Sequence, residues 1–288
     1  MEQIQTIHCS SALNKLKRKF PYSWDLNIYR GCSHACQYCY AIYSHAYLHE
    51  ENFSTIYAKR NIVELLDAEL SRKTWQHEII NIGGVSDSYQ KAEKDLKLMP
   101  DILRVLIKHK TPIIISTKSD LILRDFDLIA ELSQLTYVNI ASTIITLDET
   151  VRRKLEPGGC SSSARFSFLK EFRKTNASVG LHTMPIIPYL TDGYDTIEQL
   201  CAEAKKANVH YMLPGTLYLK GSTRQVFFDF IKKVFPGKYA TLKNLYIKGR
   251  ADKQYKNNLY LNTVNPLRKK YGISSNYSAP MKEKMHKQ

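Results

Sequence analysis

No stretch of the 288-residue chain approaches the roughly 20 consecutive apolar residues that a membrane-spanning helix requires. Met1–Phe20 carries Lys15, Lys17, Arg18 and Lys19 and lacks the apolar core of a secretory leader. Cysteine is sparse, with six in the whole chain, which excludes a disulfide scaffold. Cys9, Cys160 and Cys201 stand far apart, so a second cluster with local spacing is excluded too, and Cys9 and Cys201 read as small apolar packing residues. No internal repeat or low-complexity tract is visible. These absences point to a reducing, cytoplasmic setting with no membrane partner. Acidic residues are scarce at one end: residues 221–288 hold 15 Lys/Arg against three Asp/Glu, whereas residues 1–220 hold 27 against 24. Most of the net charge of +15 therefore lies in the last quarter of the chain. A surface of that kind suits polyanions, nucleic acids first among them, or serves simply as a solubilising coat.

What is present is concentrated in one loop. Cys32, Cys36 and Cys39 fall within eight residues in the spacing C-x3-C-x2-C, and no fourth cysteine follows nearby. Three thiolates can hold a [4Fe–4S] cluster at three corners and leave one iron open to a substrate or cofactor. The rival is a structural zinc site, which wants four ligands. His34 would have to be the fourth, from inside the same short loop, where its reach is poor.

Strand-like runs at Asp25–Tyr29, Glu78–Ile82, Pro112–Ser116, Tyr137–Ser142, Ser178–Ile186 and Val209–Leu213 alternate with amphipathic helical stretches. Such alternation predicts right-handed βαβ units and a parallel sheet. Thr146 with Glu149, and Asp195 with Glu198, read as capping boxes at two helix starts. A complete eight-fold barrel takes about 250 residues, more than this core offers. The expectation is an α/β fold: a partial (β/α)6 TIM-like barrel with a helical, basic C-terminal extension. Its parts are an N-terminal extension over 1–24, a core barrel over 25–220 and a basic helical region over 221–288 packed on the core. The end of the chain, from about Ser274, reads as poorly ordered. In barrels of this type chemistry sits at the C-terminal ends of the strands, and the cysteine loop follows the first of them.

The cysteine spacing, with aromatic Tyr38 just before the last thiol, resembles the radical SAM superfamily. The strand-end segments Asn27–His34, Tyr38–Ala41, Gly83–Gln90, Thr117–Asp125, Ala141–Thr143, Leu155–Gly158 with Arg165, and Met184–Pro188 resemble its spore photoproduct lyase-like branch, often labelled DNA repair photolyase. The resemblance covers roughly residues 12–272. It implies a [4Fe–4S] cluster on Cys32, Cys36 and Cys39, with S-adenosyl-L-methionine chelating the open iron. Reductive cleavage of that cofactor then gives a 5′-deoxyadenosyl radical that abstracts hydrogen, and a reductant such as flavodoxin or ferredoxin supplies the electron. A lyase-like enzyme acting on a nucleic-acid-related substrate follows; a peptide, protein or small molecule is the alternative substrate class.

Gly83 and Gly84 permit close backbone approach to the cofactor's methionine moiety, or simply form a tight turn. Lys118 and Arg165 are candidates for the cofactor carboxylate or a substrate phosphate, against solvated surface charges. Ser142 is a cofactor donor or a serine that satisfies buried backbone. Tyr38 joins the cofactor-binding set, Glu156 positions a loop, and Asp87 points to the substrate mouth. One departure stands out: spore photoproduct lyases use a cysteine hydrogen donor in the segment corresponding to Gly83–Asp87, and this chain has no cysteine between Cys39 and Cys160. Cys160 and Tyr89 are the catalytic candidates in its place, against a passive loop thiol for Cys160 and a packing residue for Tyr89. The interleaved Tyr239, Lys243, Tyr246, Lys248, Arg250, Lys253, Tyr255, Lys256 and Tyr260 read as a phosphate- and base-binding surface, or as a helical cap with tyrosines inward and lysines outward.

Overall fold

A computed structural model describes residues 4–17, 21–48 and 53–285. Among the described residues, ten strands form two sheets: β1 Ile4–Ile7, β2 Leu13–Lys15, β3 Trp24–Leu26, β4 Tyr29–Arg30, β5 Ile56–Lys59, β6 Ile80–Ile82, β7 Ile113–Thr117, β8 Val138–Thr143, β9 Ser178–Ile186 and β10 Tyr211–Thr216. The larger sheet runs β10-β9-β8-β7-β6-β3-β2. Its six strands from β3 to β10 are all parallel and lie in chain order, as the expected partial barrel requires, with β2 antiparallel at the edge. The first strand expected, Asp25–Tyr29, divides: β3 stays in the barrel and β4 leaves it to pair with β5. β1 and β5 pair in parallel in this second sheet. The stretch 1–24 thus supplies β1 and β2, short strands whose half-exposed patterns carry little periodicity.

Between the strands lie α1 Ile62–Leu70, α2 Lys91–Leu96, α3 Leu98–Lys108, α4 Phe126–Leu135, α5 Glu149–Leu155, α6 Ser162–Phe172 and α7 Tyr194–Lys206. Residues of one strand face, such as Ile113, Ile115, Val179 and Leu181, join the main core with helix residues Leu66, Leu103, Ile129 and Phe168. The alternate residues face the lumen. Both expected capping boxes are corrected. Asp148 caps α5, accepting from the Thr150 and Val151 N–H groups, because Thr146 is occupied in accepting from the Asp148 N–H and Glu149 turns to Arg152 and the Ser162 N–H. The second helix begins two residues early, after Gly193, so Asp195 lies inside its first turn.

The C-terminal region is helical: α8 Ser222–Val234, α9 Pro236–Leu245, α10 Lys253–Leu259, α11 Asn265–Lys270 and α12 Ala279–Met285, with a π-helical turn at Tyr260–Val264 between α10 and α11. A second apolar cluster joins Phe227, Phe228, Ile231, Leu242 and Tyr246 of this region to Leu155 of α5 and to Tyr38 in the cysteine loop. Ser274–Tyr277 is not loose, while the last three residues lie outside the described residues. The Met212 N–H donates to the Ser274 carbonyl at 2.9 Å and Tyr277 lies beside Tyr211, so this segment covers the open edge of β10.

Candidate active site

The cysteine loop lies against three strand ends. Gly31 takes φ +77°, open to glycine at little cost, as the chain turns from β4 into the loop. Fully buried Gln90 spans the gap to the loop after β6: its Oε1 accepts from the Ser33 N–H at 2.8 Å and its Nε2 donates to the Gly31 carbonyl and to Ser86 Oγ. Gly83, at φ +85°, starts that loop, and a Cβ on Gly84 would sit 2.9 Å from the Asp25 carboxylate. Both glycines therefore serve a tight turn with close approach.

His34 is buried, and both ring nitrogens face acceptors: Nε2 lies 2.9 Å from Asp87 Oδ2 and Nδ1 2.9 Å from the Gly158 carbonyl. Asp87 also accepts from Thr117 Oγ1 at 2.7 Å, the Lys118 N–H at 2.8 Å and the Tyr89 N–H at 2.9 Å. Burial alone would raise this carboxyl, but His34 and the surrounding donors hold it well below the usual carboxylate range. Asp87 is therefore a buried tie between the cysteine loop, the β6 loop and the end of β7, not a group at the mouth. Gly158 packs so closely that a Cβ there would meet the Ser33 carbonyl oxygen at 2.1 Å.

A second network lies behind the last two cysteines. Fully buried Glu156 accepts from the Tyr38 hydroxyl and pairs with Arg165 Nη1 at 2.5 Å. Arg165, also without exposed surface, donates to the Thr143 and Cys160 carbonyls at 2.9 and 3.0 Å. Burial disfavours the charged form of Glu156, yet Arg165 and Lys118 keep its carboxyl below its ordinary range. Lys118 places its ammonium over the Tyr38 ring, 5.8 Å from the centroid. Burial opposes the charge of Lys118, and the Cys36 thiol and Glu156 outweigh that opposition and raise its pKa.

The expected site residues divide accordingly. Cys32, Cys36, Cys39, Tyr38 and Lys118 come together. Arg165 is committed to Glu156 and strand-end carbonyls. Ser142 is fully buried and donates to the Thr117 carbonyl at 2.7 Å, so it ties β8 to β7. Tyr89 is fully buried, its phenol pushed far up by burial and by Asp125 and Glu93, away from the cysteines. Cys160 donates its N–H to the Lys118 carbonyl, and burial raises its thiol beside Arg165 and Asp120. The residues that sequence reasoning missed are His34 and Asp87 as a pair, and Gln90. Their only signal is polar identity inside strand-end loops.

The lumen adds a polar row on one sheet face. His182 of β9 lies 3.3 Å from Ser116 Oγ and 3.3 Å from the Tyr211 hydroxyl, which meets the Asn139 side chain at 3.0 Å. Burial, then Lys118, lowers the pKa of His182 to about 4, so the ring is neutral near pH 7. Asn81 donates to Asp25 at 2.8 Å across β3 and β6.

The three thiols fit an iron–sulfur centre. All are free; burial pushes Cys32 up to about 12, with Asp87 and Cys39 adding, and raises Cys36 and Cys39 as well. Thiols held together against their own ionisation are relieved by a cationic centre, which coordinates them as thiolates. Among the described residues no three His, Cys, Asp or Glu side chains converge closely enough to hold a single metal ion. A cubane cluster gives each thiolate its own iron, and His34, proposed above as the fourth zinc ligand, has both nitrogens engaged.

A parallel half-barrel with three thiols on the loop after its first strand is the architecture of an enzyme that works through a bound cluster. The family model of the radical SAM superfamily matches residues 26–225. The chain belongs to this superfamily and is a radical SAM enzyme, whose cofactors are a [4Fe–4S] cluster and S-adenosyl-L-methionine. It is 32% identical over 275 residues to an uncharacterized protein of Mycobacterium tuberculosis, covering 93% of this chain and 81% of the relative. An uncharacterized protein of Methanocaldococcus jannaschii is 29% identical over 240 residues, 80% of this chain and 86% of that one. In fold the chain is similar to spore photoproduct lyase. One variant of that enzyme superposes with a TM-score of 0.66 at 11% identity, over 93% of this chain and 79% of that one. Another, solved with bound AdoMet and dinucleoside spore photoproduct, gives 0.65 at 11% identity, over 93% and 78%. No helix among the described residues is long and apolar enough to cross a membrane.

Proposed function

We propose that the enzyme abstracts hydrogen from a nucleic-acid-related substrate held in the lumen above the cysteine loop. The observation that carries this reading is the placement of the basic C-terminal region. Thr223 at the start of α8 donates to the Cys39 carbonyl at 2.9 Å, so a segment with 15 Lys/Arg and three Asp/Glu begins at the cluster loop itself. Lys243, Lys248, Arg250, Lys253 and Lys256 are exposed and available to phosphates. Ser116 and the neutral His182, on the lumen side of β7 and β9, suit the amide and imide edges of a base better than a charged group. The dinucleoside bound in the spore photoproduct lyase complex is of the same class.

Cys32, Cys36 and Cys39 would hold the cluster, and Lys118, the cation beside Cys36 and Tyr38, would meet the cofactor carboxylate. Gly83 and Gly84 would let the cofactor's amino end approach the backbone. When bound, these groups supply a 5′-deoxyadenosyl radical. The chain's own part is to orient. Gln90, His34 and Asp87 fix the loop from one side, while Tyr38, Glu156 and Arg165 fix it from the other. The basic helices bring a polyanion to the mouth, and a reductant such as flavodoxin or ferredoxin delivers the electron.

The test has two arms. The reconstituted enzyme should bind nucleic acid with an affinity that falls steeply with salt. Binding that is absent or insensitive to salt would move the chemistry to a peptide, protein or small molecule.

A further inference from the structure

The interleaved tyrosines of the C-terminal helices are not the aromatic face of this protein. Tyr246 is buried with its hydroxyl on the Leu217 carbonyl, Tyr260 donates to the Pro214 carbonyl, and Tyr255 is tied to Asp192. These rings form the inward side of a helical cap. The exposed rings lie elsewhere. Tyr40 is 61% exposed, Tyr43 47% and Tyr218 50%, against the usual tendency of such rings to be largely covered.

These rings lie near the two ends of the parallel sheet. Tyr40 and Tyr43 follow Cys39, and the Tyr40 hydroxyl reaches the Gly84 carbonyl at the end of β6. Tyr218 follows β10 at the opposite end of the parallel sheet, with Met184, also exposed, at the end of neighbouring β9. The two groups therefore flank the side on which the six-stranded barrel fails to close. A cation completes the second group: the Arg250 guanidinium lies 5.8 Å from the centre of the Tyr218 ring, and the two residues pair as a β-bridge. Arg250 is itself exposed, so one of its faces remains open to a phosphate or a base.

Exposed rings beside exposed cations, at the rim of a neutral polar lumen, match the chemistry of unpaired bases on a phosphate backbone. Every base offers a π-face, and a duplex hides those faces in its own stack. We infer that the rim formed by Tyr40, Tyr43 and Tyr218 with Arg250 stacks unpaired bases, so that the enzyme takes single-stranded or locally unpaired nucleic acid rather than intact duplex. This inference rests on the nucleic-acid reading above and narrows it.

The test uses the anaerobically reconstituted holoenzyme. Fluorescence anisotropy compares a labelled oligothymidylate strand with the duplex that it forms with oligoadenylate, each at low and at moderate salt. The single strand should bind at least tenfold more tightly. Tyr218→Leu should weaken single-strand binding about tenfold, the loss of one stacked base, while Tyr218→Phe retains it. Iron content and visible absorbance of each variant verify that the site is intact, and Arg250→Ala provides a second variant outside the cysteine loop, with a weaker salt dependence expected. Duplex binding equal to single-strand binding, or a Tyr218→Leu variant that binds as wild type, would overturn the inference while leaving the nucleic-acid reading in place. Absence of salt-dependent binding to either form would overturn that reading and the inference with it.

Discussion

Replacing Asp87 by asparagine tests how the cysteine loop is held. The carboxylate accepts four hydrogen bonds, two on each oxygen, from His34, Lys118, Thr117 and Tyr89. An asparagine keeps one oxygen, so whichever way it turns, its NH2 group faces two donors that have lost their acceptor. Each bond to a charged group is worth about 1.5–3 kcal/mol, and a buried donor left without a partner costs a further ~1–3 kcal/mol. Not all of this adds, because the loop can relax, so the expected loss is about 3–5 kcal/mol, as for a broken buried ion pair. Urea unfolding of the apoprotein should show a lower midpoint with an unchanged slope. Thermal unfolding should shift by about 10 °C on the usual scale for a chain of this size. The acid limb should change too. A carboxyl whose folded pKa lies below its unfolded value of about 4 contributes stability above that value and loses it as pH falls through the folded pKa. Wild type should therefore weaken steadily below about pH 4, whereas Asp87→Asn, already lacking the contribution, should weaken less. A variant that loses under about 1 kcal/mol and takes up iron normally would refute the view that Asp87 ties three strand ends together.

Other substitutions separate the two networks. Gly158→Ala forces a Cβ to within 2.1 Å of the Ser33 carbonyl, so the chain should fold yet retain less iron in a chelator challenge. Glu156→Ala strands the fully buried Arg165 guanidinium and should cost about 3–5 kcal/mol, while Tyr38→Phe, which removes one hydroxyl from the same carboxylate, should cost about 1–2 kcal/mol; chemical denaturation ranks them. Lys118→Met removes the cation beside Cys36, and isothermal titration should then show weaker S-adenosyl-L-methionine binding with the iron content unchanged.

The barrel was legible because its strands are short, largely apolar segments separated by amphipathic helices: Ile113–Ile115 is an unbroken apolar run, and Val138–Ile140 is interrupted only by Asn139. β1 and β2 were not, since edge pieces of three or four half-exposed residues lack such a run, and β5, buried at the centre of the small sheet, is only four residues long. The cysteine spacing is local, so the metal-binding loop was readable from a single segment. The residues that hold the loop are not local. His34 meets Asp87 across 53 positions and Gly158 across 124, and nothing in a lone polar residue announces a partner so distant. Ser142 at a strand end and Arg165 on a helix looked like free polar groups, but both are absorbed by neighbouring carbonyls and carboxylate. In the basic tyrosine-rich stretch the spacing fitted either role, and burial turns Tyr246, Tyr255 and Tyr260 inward while the lysines face outward.

The central claim is that the loop of Cys32, Cys36 and Cys39 generates a radical from S-adenosyl-L-methionine. The most direct measurement is anaerobic reconstitution with iron and sulfide, followed by dithionite and S-adenosyl-L-methionine, with 5′-deoxyadenosine read by mass spectrometry. Wild type should release 5′-deoxyadenosine, and Cys36→Ala should release none. A wild-type protein that is brown and loaded with iron yet forms no 5′-deoxyadenosine, or a colourless protein that binds zinc through these thiols, would contradict it.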